Sequence, residues 1–385
     1  MADTIIDLAS AKPDEFQSAL DDWLRENAAE LTACAPDESK SVEAATAAPR
    51  RFQRMLFDAG WLRAGWPESI GGVGGSAELR AQVYDTVTTA GYALPETLPT
   101  LEVMLPCLQK YAPHLAEEFG PAFLAGEELW TQGFSETEAG SDMAALRTRA
   151  TPVEGGWRIT GHKVWNSYAA VADRCMLLAR TGEQSARHRA ISMFFVDLDS
   201  PGVEVRPIRT MTGRNELAEI FLEDVFVPND RLIGAENEGW AQSMYLLQWE
   251  RGMYAWMRQA WLFTRLDALR AALEGTPYAR EFAAAYIKVT SLRLISRGTL
   301  RRLANDENPG PEISVDKLLL SGAEQAVLNV ARLLLRGEFE VGDSDEITHW
   351  TGDYFYTRSA SIYGGAAEIQ RDIIAQRVLG LPRGR

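Results

Sequence analysis

One acidic side chain is out of register with its surroundings. In Ser243–Phe263, SMYLLQWERGMYAWMRQAWLF, a step of about 100° per residue puts Gln248, Arg251, Ala255, Arg258 and Gln259 on one side. Glu250 falls nearly opposite, one turn from Leu246, Leu247, Met253, Tyr254 and Met257. An apolar surround disfavours the ionised carboxylate and lifts its pKa above the usual value of about 4.3, toward the range of useful proton transfer. That is the chemistry of a general base. The segment equally suits a core glutamate satisfied by Tyr254 or by an arginine from another helix, and taken alone it leaves both readings open.

Two further segments carry groups that could hold a ligand. GFSETEAGSD, residues 133–142, offers Ser135 and Ser141 with the turn at Gly140, and GHKVWNS, residues 161–167, offers Trp165 and Ser167. Hydroxyls and turn N–H groups suit the polar edge or phosphates of a cofactor, and an indole suits its ring face. By itself the first segment also reads as an exposed Gly/Ser loop. Near the C-terminus, SIYGGAAEIQR (361–371) sets Gly364 and Gly365 side by side, where the backbone is free of side-chain restriction.

The elements that must position these groups follow from periodicity. Residues 1–129 read as helical, with Pro13 and Asp14 opening PDEFQSALDDWLREN and the glycine-rich WPESIGGVGG as a loop. Over 130–233, short β-rich runs such as WRITGHKVWNS, CMLLART, AISMFFVDL and AEIFLEDVFVP are separated by turn residues, which predicts a compact antiparallel β-domain. Residues 234–385 are again helical, with DENPGPEIS (306–314) as the interhelical loop. The class is α+β, in the order helices, small β-domain, helices.

Bulk properties narrow the partners. A formal charge of −15 argues against nucleic acid or an anionic membrane as the main partner. Cys34, Cys107 and Cys175 form no CxxC pair, and the four histidines show no metal spacing, so neither a disulfide framework nor a metal site is expected. The acidic N-terminus lacks the form of a signal peptide, and no apolar stretch suggests a membrane span, so a cytoplasmic location is expected.

Four segments in order carry a resemblance to the acyl-CoA dehydrogenase family. WPESIGGVGG resembles its WPxxYGG loop, and GFSETEAGSD with GHKVWNS resembles its TEPxAGSD signature and the strand that follows. FLEDVFVPNDRLIGAENEGW resembles its passage into the third domain, and IYGGAAEIQRDIIAQRVLGLPR its closing segment. The resemblance implies an N-terminal helical domain, a β-barrel-like middle domain and a C-terminal four-helix bundle. It also implies FAD as cofactor and oxidation of an acyl-CoA thioester across its α and β carbons. It assigns Phe134, Ser135, Gly140, Ser141, Trp165, Ser167, Gly365, Ala366 and Glu368 to the cofactor site. Electrons would pass to an electron-transfer flavoprotein or a similar acceptor.

Departures from the family pattern matter as much. Most members carry Tyr-Glu-Gly in the closing segment, where Glu is the base; this chain has Tyr363-Gly364-Gly365. A minority carry the base on the bundle helix as Glu followed by Arg, with Gly in the late loop. Glu250-Arg251 with Gly364 resembles that exchange and makes Glu250 the expected base, Arg251 its orienting partner or a member of an ion pair, and the Gly364 N–H half of an oxyanion site. The usual R-x-x-F-G and Q-x-x-G-G segments, which reach a neighbour's FAD, are not intact; Arg280 is the substitute, in a homo-oligomer (dimer or tetramer) or a heterotetramer with a related chain.

Overall fold

The structure is a computed structural model that describes residues 7–35, 41–95 and 97–382. Pro13 in the first turn, followed by Asp14 and Glu15, starts α1 (Pro13–Glu26), which buries Phe16, Leu20 and Leu24 at four-residue spacing. A single helical segment, α2 (Ala28–Thr32), leads to α3 (Val42–Asp58), capped by Ser41 Oγ accepting from Ala44 N. α4 (Ala77–Thr89), α5 (Thr97–Tyr111) and α6 (Pro113–Leu124) complete this layer. The WPESIGGVGG loop is pinned by Gly65 N–H to Gly74 O (2.7 Å) and Gly74 N–H to Trp66 O (2.8 Å), with the Arg80 guanidinium 3.8 Å above the Trp66 ring. A Cβ at Gly72 would lie 2.0 Å from Trp66 O, so the tight turn requires glycine there.

Eight strands follow: β1 (Trp130–Gly133), β2 (Arg149–Val153), β3 (Gly156–Ser167), β4 (Arg174–Arg180), β5 (Ile191–Asp197), β6 (Val203–Ile208), β7 (Leu217–Pro228) and β8 (Leu232–Ile233). They form one sheet in the order β6-β7-β3-β2-β4-β5-β8, with β1 beside β4. Most ladders are antiparallel. The exceptions are β1–β4 and a single β2–β4 register pair, which are parallel. The antiparallel β-domain expected from the sequence is thus present, with one parallel addition: β1 enters from α6, and the long passage through β2 and β3 returns the chain to β4 in the same direction. The two-residue period is plain in β4 and β5. Met176, Leu178, Met193 and Phe195 face the core shared with the N-terminal helices, while Cys175, Leu177, Ala179, Phe194 and Val196 fill the other face.

The remaining chain is helical: α7 (Gly239–Trp249), α8 (Ala255–Ala268), α9 (Arg270–Leu273), α10 (Ala279–Ala304), α11 (Ser314–Val341), α12 (Asp345–Tyr356) and α13 (Ala367–Ile373). Leu262, Leu266, Val289, Leu292, Leu320 and Val327 form the bundle core. Leu246, Trp249 and Met253 belong instead to the N-terminal core, so the α7 end of this helix joins the two layers. The polar side expected over Gln248–Gln259 is not a solvated face. Gln259 is fully buried and bonds Asp85 and Arg293, and Arg258 meets the buried Glu324, because α8 packs on α4, α10 and α11 together. One helix, residues 310–341, is long and apolar enough to cross a membrane by length and composition, contrary to the sequence expectation; half of that apolar window is buried inside the protein, as in a bundle core helix.

Candidate active site

Between α7 and α8 the hydrogen bonding slips into a π turn, Glu250–Tyr254. Such one-residue insertions re-aim side chains and recur at functional sites. Gly252 lies buried inside it, where a Cβ would meet Leu303 Cδ1 at 2.6 Å, so α10 presses directly on the turn. Glu250 keeps a partial opening to solvent. Burial pushes its carboxyl above the ordinary range, and the charges of Arg251 and Lys317 oppose that rise.

The late loop meets this turn through its two glycines. Gly364 has φ +61°, and a Cβ there would lie 2.6 Å from Glu250 Oε1 and 3.5 Å from Lys317 Nζ. Gly365, at φ +102°, would place a Cβ 2.4 Å from Gln370 Nε2 and 3.3 Å from Arg251 Nη2. Thus four of the expected residues, Glu250, Arg251, Gly364 and Gly365, converge. Ala366 stands next to them as the residue before α13. Glu368 points outward and pairs with Arg371 at 3.4 Å.

Behind the loop is a buried polar network that sequence reasoning did not find. Lys317, on α11, donates to Ala360 O at 2.9 Å and sits 4.0 Å from the centre of the Tyr363 ring. Burial pulls its ammonium down to about 8, against the attraction of Glu324 and Glu250. Tyr363 donates its hydroxyl to Glu324 Oε2 at 3.0 Å, Arg258 Nε donates to Glu324 Oε1 at 2.6 Å, and the Tyr254 and Tyr363 hydroxyls are 3.4 Å apart. Lys317 and Glu324 are seven residues apart in an otherwise apolar run, so both fall on one face of α11. Like Glu250, each is a charge on an otherwise apolar helix face.

A second group of expected residues forms a separate surface on the sheet. The β3–β7 register shifts between Lys163 and Asn166, and in that bulge Trp165 takes φ +63° with 61 % of its surface exposed. A bulky residue in the left-handed region is strained, and an indole left open there calls for a purpose. Exposed Ser167 lies two residues on, and Ser135 is joined to the same strand by Val164 N–H donating to its carbonyl at 3.0 Å. Lys163 Nζ, fully buried, donates to Phe134 O (3.3 Å) and to Glu136 Oε1 (2.8 Å). Glu136 in turn accepts from Arg147 N and Thr148 N, closing the loop that carries Gly140 and Ser141, both exposed. Asp142 is held by Arg187 at 2.6 Å. A flat aromatic plate beside free hydroxyls fits a ring cofactor with a polar edge, and the orphaned buried Gln370 Oε1 beside Gly365 is a further polar atom awaiting a partner. Arg280 stands apart from both groups, exposed in the first turn of α10.

The comparisons agree with this architecture. Residues 131–225 match the acyl-CoA dehydrogenase middle domain and residues 237–379 its C-terminal domain. The chain is 34 % identical over 381 residues to the acyl-CoA dehydrogenase IpdE1 of Mycobacterium tuberculosis, covering 96 % of this chain and 98 % of that one. It is 34 % identical to IpdE1 of Mycolicibacterium smegmatis over 87 % and 88 % of the two chains. Among solved structures it is similar to the steroid acyl-CoA dehydrogenase Tcur3481–Tcur3483 (TM-score 0.83, 25 % identity, 98 % and 100 % covered). It is also similar to the ChsE4–ChsE5 complex of Mycobacterium tuberculosis (TM-score 0.78, 25 % identity, 97 % and 99 % covered). On its sequence and its fold alike, the chain belongs to the acyl-CoA dehydrogenase family.

Proposed function

We propose that this chain is a FAD-dependent acyl-CoA dehydrogenase in which Glu250 removes the α-proton of the thioester. The observation that carries the reading is the fit of Gly364 against Glu250 Oε1: the late loop has no side chain where one would displace the carboxylate. Glu250 suits the task because burial raises its proton affinity while Arg251 and Lys317 keep the ionised form accessible. The Gly364 N–H has no partner among the described residues and is free to donate to the thioester oxygen as negative charge develops there. Trp165, Ser135 and Ser167 would hold FAD by its ring, and the loop at Gly140 and Ser141 would supply hydrogen bonds nearby. Bound FAD supplies the hydride acceptor for the β-carbon.

The likeness to a protein described as a steroid acyl-CoA dehydrogenase supports an acyl group bearing a ring system. Two of the similar structures are described as pairs of chains, ChsE4–ChsE5 and Tcur3481–Tcur3483, which supports a second reading: a mixed assembly with a related chain that completes the cofactor site. The test is anaerobic titration of the yellow protein with a panel of acyl-CoAs, wild type against Glu250→Gln. The variant should retain FAD and bind acyl-CoA yet lose flavin reduction by at least ~100-fold, the scale of a lost general base. Reduction near the wild-type rate would remove Glu250 from the mechanism.

A further inference from the structure

Lys317 is 3 % exposed, and a buried ammonium is costly unless its neighbours repay the lost water. Its neighbours are informative. Ala360 O accepts one of its three N–H groups, and the π face of Tyr363 covers another side at 4.0 Å. Both belong to the segment that carries Gly364. The space where a 364 side chain would begin is 3.5 Å from Lys317 Nζ and 2.6 Å from Glu250 Oε1, so ammonium and carboxylate are no more than about 6 Å apart.

Other charges surround the pair. Glu250 is faced by Arg251 from its own turn and by Lys317 from α11. Lys317 is faced by Glu324 and Glu250 with opposite sign, and by Arg251 and Arg258 with like sign. Arg251 is the stronger of the two cations acting on Glu250. Of the two, Lys317 also donates to Ala360, in the segment leading to Gly364, so it joins the charge on the base to the position of the loop, which the Tyr254–Tyr363 hydroxyl contact also ties to the π turn.

We propose that Lys317 is a positioning residue for proton abstraction: it fixes the Ala360–Gly364 segment against Glu250, and its ammonium supplies part of the counter-charge that lets Glu250 stand ionised. The proposal rests on the reading of Glu250 as the base. A side chain that merely filled space in α11 would hold the loop but leave the titration of Glu250 untouched. The two roles therefore separate by experiment.

The experiment titrates the Glu250 carboxyl by infrared difference spectroscopy on the purified chain, its band identified by its loss in Glu250→Gln. The acid limb of flavin reduction is measured in parallel. Lys317→Met should move the carboxyl titration and the acid limb upward together by about one pH unit, the lower end of the effect of an opposite charge at this range. Lys317→Arg, which keeps the charge, should leave both near their wild-type positions. An unmoved titration in a folded Lys317→Met protein overturns the proposal, as does a shift in Lys317→Arg as large as that in Lys317→Met. Should Lys317→Met fail to fold, Lys317→Arg and the neutral, polar Lys317→Gln decide by the same criterion. If Glu250→Gln still reduces flavin normally, the base reading fails instead, and the infrared titration still decides whether Lys317 sets the charge on Glu250.

Discussion

Glu250 Oε1 occupies a place 2.6 Å from where residue 364 would carry its Cβ, and Gly364 leaves that place open. A side chain on the late loop would therefore oblige the carboxylate on the π turn to swing away from its present place. Gly364→Ala should slow flavin reduction by displacing the base, and its φ of +61° adds a backbone cost of about 1–2 kcal/mol for any residue with a Cβ. Gly364→Glu should be slower than wild type, since two carboxylates would crowd and repel at one site. The double change Glu250→Gly with Gly364→Glu relieves both conflicts and should recover part of the activity. Single-turnover reduction rates for the four proteins check the series, and a double variant as inactive as Gly364→Glu would mean that the loop does not approach the substrate.

On the sheet, Trp165 makes a different kind of expectation. It is 61 % exposed in a strained left-handed conformation, so the fold gains little from it. Trp165→Gly should relieve the strain and leave the thermal midpoint of the FAD-free chain unchanged or higher. The same change should lower FAD retention, because the ring face loses its plate. FAD per chain after gel filtration, with melting of the FAD-free protein, measures both. Full FAD retention would reject Trp165 as part of the cofactor surface.

Glu250 was legible in sequence because a charge broke an apolar 3.6-residue period, and the alternation of β4 and β5 was legible for the corresponding reason. The convergence of Gly364 with Glu250 was reachable only through resemblance, since 114 residues of chain separate two groups that meet in space. Lys317 and Glu324 break an apolar period just as Glu250 does, but only the fold brings them beside the late loop and so shows what they face. The π turn left no trace in composition. Leu303 of α10 packs there against Gly252, and a regular wheel drawn through the turn groups Gln259 and Arg258 on one side without showing that α4, α10 and α11 bury that side. The parallel β1–β4 pairing was hidden for a similar reason: the strands join across about 40 residues, beyond the reach of local turn signals.

Asp316, one residue before Lys317, supplies a stability test. It is buried with Thr299 as its hydrogen-bond donor, and burial pushes its carboxyl up from 3.8 to about 7. Across that window the folded chain binds more protons than the unfolded one, so stability falls as pH rises. The contribution is complete below the unfolded value and gone once pH passes about 7. Lys317 acts with the opposite sign and higher up, between about 8 and 10.5, where the folded chain binds fewer protons. Asp316→Asn should therefore flatten the decline in melting temperature between about pH 4 and pH 7 and be the more stable protein above it. Parallel melting curves for the two proteins across that range would show that Asp316 does not titrate as its burial requires.

The last expectation concerns assembly. Arg280, Ile287 and Leu294 repeat every seven residues along α10 and so share one stripe; Ile287 is 64 % and Leu294 67 % exposed. Arg280 makes no ion pair among the described residues, and an arginine beside exposed apolar side chains suits a contact with another chain. If a second copy receives that stripe, Arg280 can reach a cofactor phosphate in the neighbouring subunit with a charge-assisted hydrogen bond. The lone chain should then purify as an oligomer, yellow, with close to one FAD per chain, and Arg280→Ala should release the flavin without unfolding the protein. A lone chain with well under one FAD, restored by co-expression with a related chain, would instead place the missing contacts on an unlike partner. Mass in solution and FAD per chain, measured on the same preparation, separate the two, because a homo-oligomer saturates by itself and a mixed assembly does not.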